Sequence, residues 1–272
     1  MVISKNRIDD TFRRLRRQKR KALIPFIMGG DPSPSATAPL ILALAGAGAD
    51  VIEVGIPFSD PLADGPTIQK ASQRALDAGA TPRRVLAAIK AASRRTRTPM
   101  VLLSYWNPIL CYRGGPAGFA VEAARAGVGA VIVPDLPVEE ADGWPAAAAA
   151  AGIDPVFLAA PTSSRDRLRR IARASRGFIY YVSLTGTTGA RATLSHDWRQ
   201  GVRELKLITT TPVCVGFGIS TPAQAAEVAR AADGAIIGSA LIRALEPHVK
   251  SRRRLVARAA SFMRRFRAAV SA

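Results

Sequence analysis

From residue 22 onward the chain alternates between two patterns. Short apolar runs occupy residues 22–28, 51–56, 100–105, 130–133, 155–159, 178–183, 213–217 and 235–237. They are near-continuous in Val, Ile, Leu and Phe, as expected of parallel strands covered on both faces. Between them, residues 38–47, 67–78, 82–93, 116–126, 166–175, 197–208 and 222–231 carry Ala- and Leu-rich helical periodicity. Thr81-Pro82 and Thr221-Pro222 each place a capping hydroxyl before a proline suited to the first helical turn. Eight strand–helix units without a break in composition predict an α/β fold, a single closed (β/α)8 TIM barrel. A doubly wound open sheet is the alternative. The barrel is expected over residues 22–245, within one domain spanning 1–272. Residues 1–21 supply an extra N-terminal helix, beginning near Asp9 with Phe12 and Leu15 inward, and residues 246–272 a basic C-terminal helix. Gly143-Trp144-Pro145 falls inside the helix due after the fourth strand and predicts a break or restart there.

Composition narrows the class. With 272 residues, 48% of them hydrophobic and 22% charged, the chain reads as a folded globule and not as a disordered or disulfide-stapled one. The net charge of +19 would ordinarily point to nucleic acid or an anionic membrane. Its distribution argues otherwise. Residues 1–21 hold nine basic against two acidic side chains, and residues 243–272 nine against one. The 221 residues between them hold 21 against 17, an excess of only +4. Solvated faces of the two terminal helices are the expected reading, with weak, salt-sensitive polyanion binding as a side effect; neither specific nucleic acid nor membrane is expected as a partner. Cys111 and Cys214 lie far apart with no CxxC motif, and only two histidines are present. No metal site is expected, and the reducing cytoplasm is the expected compartment. No apolar run approaches the roughly 20 residues that cross a bilayer.

The chemistry concentrates at a few positions. Glu53 sits in the apolar run Val51-Ile52-Glu53-Val54-Gly55-Ile56. Burial there would raise its pKa and poise it for proton transfer near neutrality, unless it pairs structurally with a buried Arg or Lys. The following loop, residues 57–66, holds three prolines at 57, 61 and 66 and the aspartates Asp60 and Asp64. It lies at the C-terminal rim, where barrel enzymes keep their chemistry. One aspartate is expected to cap the loop and the other to reach into the mouth opposite Glu53. Glycine-bearing turns follow late strands at residues 185–189, 216–220 and 238–239. Each alone is a plain turn, but together they occupy the recurrent phosphate cradle of this fold. His196 beside Ser195, and His248 among terminal basic residues, support no Ser-His triad. No GxxxxGK[ST] occurs, and no strand carries a lysine suited to a Schiff base.

These residues match a family pattern. The blocks LIPFIMGGDP at 23–32, EVGIPFSDPLADGP at 53–66, YWNPI at 105–109, PDLP at 134–137, GTTG at 186–189 and GFGIS at 216–220 resemble the signature of the tryptophan synthase alpha chain family. Order and spacing hold from about residue 12 to 245, and the block from Glu53 is the most specific. The resemblance implies retro-aldol cleavage of indole-3-glycerol phosphate to indole and D-glyceraldehyde 3-phosphate in tryptophan biosynthesis, by a carbon–carbon lyase with no cofactor in this chain. It implies Glu53 as the main proton-transfer residue and Asp64 as the group that stabilises the indole N–H. Phe26, Tyr105 and Phe217 resemble pocket residues around the indole, and Tyr180 the tyrosine that hydrogen-bonds the catalytic glutamate. Thr188 resembles the threonine of a closing loop that contacts Asp64. Gly189, Gly218, Gly238 and Ser239 carry over as phosphate contacts. The family works as an αββα heterotetramer with a pyridoxal phosphate-dependent beta chain, which Asp60 and its loop would face. Two departures stand out: Gly29-Gly30, where a larger or polar residue often comes first, and the basic termini. A stand-alone lyase of the same family, or a non-catalytic phosphate-binding barrel, are the rival readings.

Overall fold

The computed structural model describes residues 7–182, 198–216 and 218–271. Nine parallel segments form one sheet: β1 (Ala22–Met28), β2 (Ile52–Gly55), β3 (Met100–Leu103), β4 (Val128–Ile132), β5 (Asp154–Val156), β6 (Leu158–Ala159), β7 (Ile179–Val182), β8 (Val213–Gly216) and β9 (Gly234–Ile237). Their order, β5-β4-β3-β2-β1-β9-β8-β7-β6, begins and ends on two pieces of the same strand. The sheet therefore closes on itself as an eight-position TIM barrel. The fifth strand, expected as one run over 155–159, breaks at Phe157. There the backbone N–H turns away from the ladder to the buried Ser175 hydroxyl at 3.4 Å.

Strand alternation separates two cores. Ile24, Phe26, Met28, Val101, Leu103, Ile132, Tyr180 and Ile236 point into the barrel. Leu23, Ile27, Ile52, Val54, Leu102, Ile179, Tyr181 and Ile237 point out beneath the helices. Both sets are buried, which is why the runs read as continuously apolar. The barrel floor is sealed by the helix Arg7–Arg17, which already includes the two residues before its expected start at Asp9 and inserts Ile8, Phe12 and Leu15. Phe12 meets Phe178 with ring centroids 6.0 Å apart.

Helix boundaries follow local chemistry. Thr81 accepts the Arg84 N–H, and Thr221 with Gln224 forms a reciprocal capping box. The first barrel helix, Pro34–Gly46, starts four residues before its expected position because Pro34 occupies its first turn. At Gly143-Trp144-Pro145 a helix starts: Gly143 takes φ 80°, and Trp144–Ala150 follows with its proline in the first turn. The C-terminal helix runs over Arg252–Ser271 after a 3-10 turn at Glu246–His248, and buries Leu255, Phe262, Met263, Phe266 and Val270. Among the described residues no helix is long and apolar enough to cross a membrane.

Candidate active site

Glu53 occupies the middle of β2, level with Phe26 of β1 and Val101 of β3. Its parity turns it into the barrel, where it is 1% exposed. No Arg or Lys among the described residues pairs with it, and its Oε2 is buried without a hydrogen-bond partner. Among the described residues, then, Glu53 has no buried ion pair. Burial, and then the negative charge of Asp64, push its pKa up from 4.5 to about 8.

Asp64 reaches the same space from the loop after β2. That loop is held at both ends. Ser72, itself buried, accepts the Phe58 N–H and donates to the Phe58 carbonyl, both at 3.0 Å. Gln69 donates to the Asp64 carbonyl at 2.9 Å. The Tyr105 hydroxyl accepts the Ala63 N–H and donates to Asp64 Oδ2, each at 3.0 Å. Burial raises the Asp64 pKa to about 6, and the Tyr105 hydrogen bond opposes the rise. Of the two loop aspartates, Asp64 turns inward and Asp60 stays exposed beside Ser59.

Both carboxylates line a cavity of about 610 Å³, counting its open mouth, at the C-terminal ends of the strands. Phe26, Leu103, Ile68, Ile236 and Tyr180 form its apolar wall. Gly218, Ser220, Gly238, Ser239 and Arg243 form a polar end. Glycines allow the aromatic wall to close in. A Cβ at Gly55 would stand 2.8 Å from the Phe26 ring, and one at Gly216 would stand 2.6 Å from Cζ of Tyr180. Among the described residues no group of three or more His, Cys, Asp and Glu side chains is placed to hold a metal ion.

Of the residues singled out from the sequence, Glu53, Asp64, Phe26, Tyr180, Gly218, Gly238 and Ser239 converge on this cavity. Tyr105 does not line it. It stands behind Asp64, its ring 5.3 Å from that of Phe58, and orients the carboxylate. Tyr180 shares the cavity with Glu53. Thr188, Gly189 and Phe217 lie outside the described residues. Sequence reasoning missed Ile68, Leu103, Ile236 and Arg243, while Ser220 falls in the 216–220 turn already placed in the phosphate cradle. Strand parity with Glu53 marks Leu103, and the four-residue step from Ser239 marks Arg243.

A family model described as tryptophan synthase alpha chain matches residues 12–271. The chain belongs to that family. It is 49% identical over 240 residues to the tryptophan synthase alpha chain of Geotalea daltonii, covering 88% of this chain and 90% of the relative. It is 48% identical over 247 residues to that of Carboxydothermus hydrogenoformans, covering 91% and 92%. Among solved structures, tryptophan synthase subunit alpha from Legionella pneumophila superposes with a TM-score of 0.91 at 37% identity, covering 98% of this chain and 99% of the other. A chain of Mycobacterium tuberculosis tryptophan synthase superposes at 0.85 with 41% identity, covering 95% and 98%. The match begins within the N-terminal helix and runs through the barrel to the end of the C-terminal helix.

Proposed function

We propose that this alpha-chain-family barrel is a carbon–carbon lyase that cleaves indole-3-glycerol phosphate to indole and D-glyceraldehyde 3-phosphate. The observation that carries the reading is the buried, unpartnered Oε2 of Glu53 in one cavity with Asp64. Breaking the bond between indole C3 and the glycerol chain requires three things. C3 must gain a proton, the adjacent hydroxyl must lose one, and the cationic ring formed between those events must be stabilised. With a pKa of about 8, Glu53 carries a proton at neutral pH and can give it to C3. The resulting carboxylate takes the hydroxyl proton. The O–H electrons form the aldehyde C=O, and the electrons of the broken C–C bond restore the aromatic ring. Glu53 ends protonated, ready for another cycle.

Asp64, with a pKa of about 6, is largely ionised at the same pH and suits the N–H of the cationic ring. The apolar wall keeps water from the ring and strengthens both interactions. Gly218, Gly238 and Ser239 offer the close backbone approach that a phosphate needs at the other end. The two carboxylates suffice for this chain's step, and pyridoxal phosphate belongs to a beta-chain partner. Leu62, 84% exposed beside Asp60 on the pinned loop, and Leu110, 53% exposed, offer apolar surface for that partner in an αββα assembly in the cytoplasm.

The test is turnover of indole-3-glycerol phosphate by the purified chain, with and without a beta chain. Glu53→Gln should lower kcat by about 10²–10⁴-fold while the chain stays folded, the range general acid–base catalysis supplies. Asp64→Ala should lower it by about 10²–10³-fold. Near-normal turnover by Glu53→Gln would remove Glu53 from the mechanism.

A further inference from the structure

Arg243 lines the active-site cavity from the helix Ser239–Leu245, one turn beyond Ser239. Residues four apart share a helix face, and a helical side chain leans back over the turn that precedes it. Arg243 and Ser239 thus share one face of this helix, and both line the cavity. Arg243 is half-buried and makes no hydrogen bond or ion pair among the described residues. This is not for want of a nearby acid. Glu246 stands three residues on, but it is engaged by Arg74 at 3.4 Å, and Arg74 also grips both oxygens of Asp31 at 2.9 and 2.8 Å. Arg74 holds both of these carboxylates, and Arg243 lines the cavity half-buried. Among the described residues the other charges on the cavity wall are Glu53 and Asp64, both acidic and set among the apolar residues. One end is thus built for an anion and the other for a cationic ring.

We infer that Arg243 is a substrate-binding and specificity residue, whose guanidinium engages the phosphate of the substrate. This rests on the proposed lyase reading for the identity of the substrate, though not for the anion chemistry. A guanidinium supplies parallel N–H donors that match phosphate oxygens, so lysine in its place would restore the charge but not the fork. Its contribution is uniform binding, made before and during the bond cleavage, and it therefore falls on KM and not on kcat.

The experiment compares wild type, Arg243→Gln and Arg243→Lys in phosphate-free buffer. It reads steady-state kinetics with indole-3-glycerol phosphate and equilibrium binding of inorganic phosphate and of indole. Arg243→Gln should raise KM about tenfold or more, the scale of one lost hydrogen bond to a charged group, with kcat within about threefold. Inorganic phosphate should weaken in parallel, indole should bind as before, and Arg243→Lys should fall between. An unchanged KM, or equal losses of phosphate and indole affinity, would overturn the inference. Should wild type fail to cleave indole-3-glycerol phosphate, the lyase reading falls. The role of Arg243 is then decided by phosphate alone: weaker binding by Arg243→Gln supports it, and equal binding refutes it.

Discussion

Two carboxylates of the same chemistry are held in opposite protonation states by their surroundings. Glu53 is fully enclosed and keeps its proton up to about pH 8, whereas Asp64 is steadied by Tyr105 and ionises near 6. The proposed mechanism needs that combination: a protonated Glu53 and an anionic Asp64. Below about pH 6 Asp64 takes up a proton and the cationic ring loses its counter-charge. Above about pH 8 Glu53 has no proton to give. The profile of kcat/KM should therefore be a bell between those limbs, read on the free enzyme. Tyr105→Phe removes a hydrogen bond that lowers the Asp64 pKa, so the acid limb should move up while the alkaline limb stays. A profile flat through pH 9, or a Tyr105→Phe shift of the alkaline limb alone, would contradict these assignments. Glu53 was legible because a charge inside an apolar strand is conspicuous. The placing of Tyr105 was not, since a ring in a sequence carries no direction, and only the fold shows it behind Asp64 instead of against the ring pocket. Arg243 was hidden among many arginines, its significance depending on Arg74 having taken Glu246.

At the scale of elements, adjacent tyrosines on β7 make the barrel's alternation concrete. Tyr180 points inward over Gly216 of β8, and Tyr181 points outward over Gly201 of the helix Trp198–Ile208. A Cβ added at either glycine would lie 2.6 Å from the Cζ of its tyrosine. Both substitutions overpack a closed layer, which typically costs about 1–3 kcal/mol. Gly201→Ala and Gly216→Ala should thus destabilise the fold alike, measured by denaturant unfolding. Only Gly216→Ala should also depress kcat/KM, because it displaces a wall of the cavity. Equal kinetics in the two variants would show that Tyr180 is not held in place by Gly216. The strands themselves were legible from their unbroken apolar runs, since burial on both faces leaves no polar interruption. The short helices Trp106–Leu110 and Ser239–Leu245 left no such trace. Each spans under two turns, too little for a periodicity to register, and both are set by the rim: the first is capped by Asp135, which accepts the Trp106 N–H at 2.9 Å.

Across the whole molecule, the basic C-terminal helix carries solvated arginines beside one, Arg267, that ties separate elements together. Arg264 and Arg265 on the C-terminal helix are exposed. Arg267 turns inward, donates to Asp50 at 2.6 Å, and approaches the Lys21 carbonyl at 3.4 Å just ahead of β1. Asp50 is 6% exposed and also accepts the Leu23 N–H at 3.0 Å. One guanidinium thereby ties the last helix to the segments that lead into the first two strands. Arg267→Met keeps much of the side-chain volume but strands Asp50 as a buried charge, with Arg20 a distant substitute at 3.8 Å. Breaking such a pair costs about 3–5 kcal/mol, of which Arg20 should recover part. Arg264→Gln and Arg265→Gln should each stay within about 0.5 kcal/mol of wild type. The deciding measurement is a double-mutant cycle. If Asp50→Asn in the Arg267→Met background restores no stability beyond the sum of the single effects, the two residues do not act as a pair. A coupling that persists in high salt, where exposed charges are screened, marks it as the internal tie, distinct from the basic surface around it.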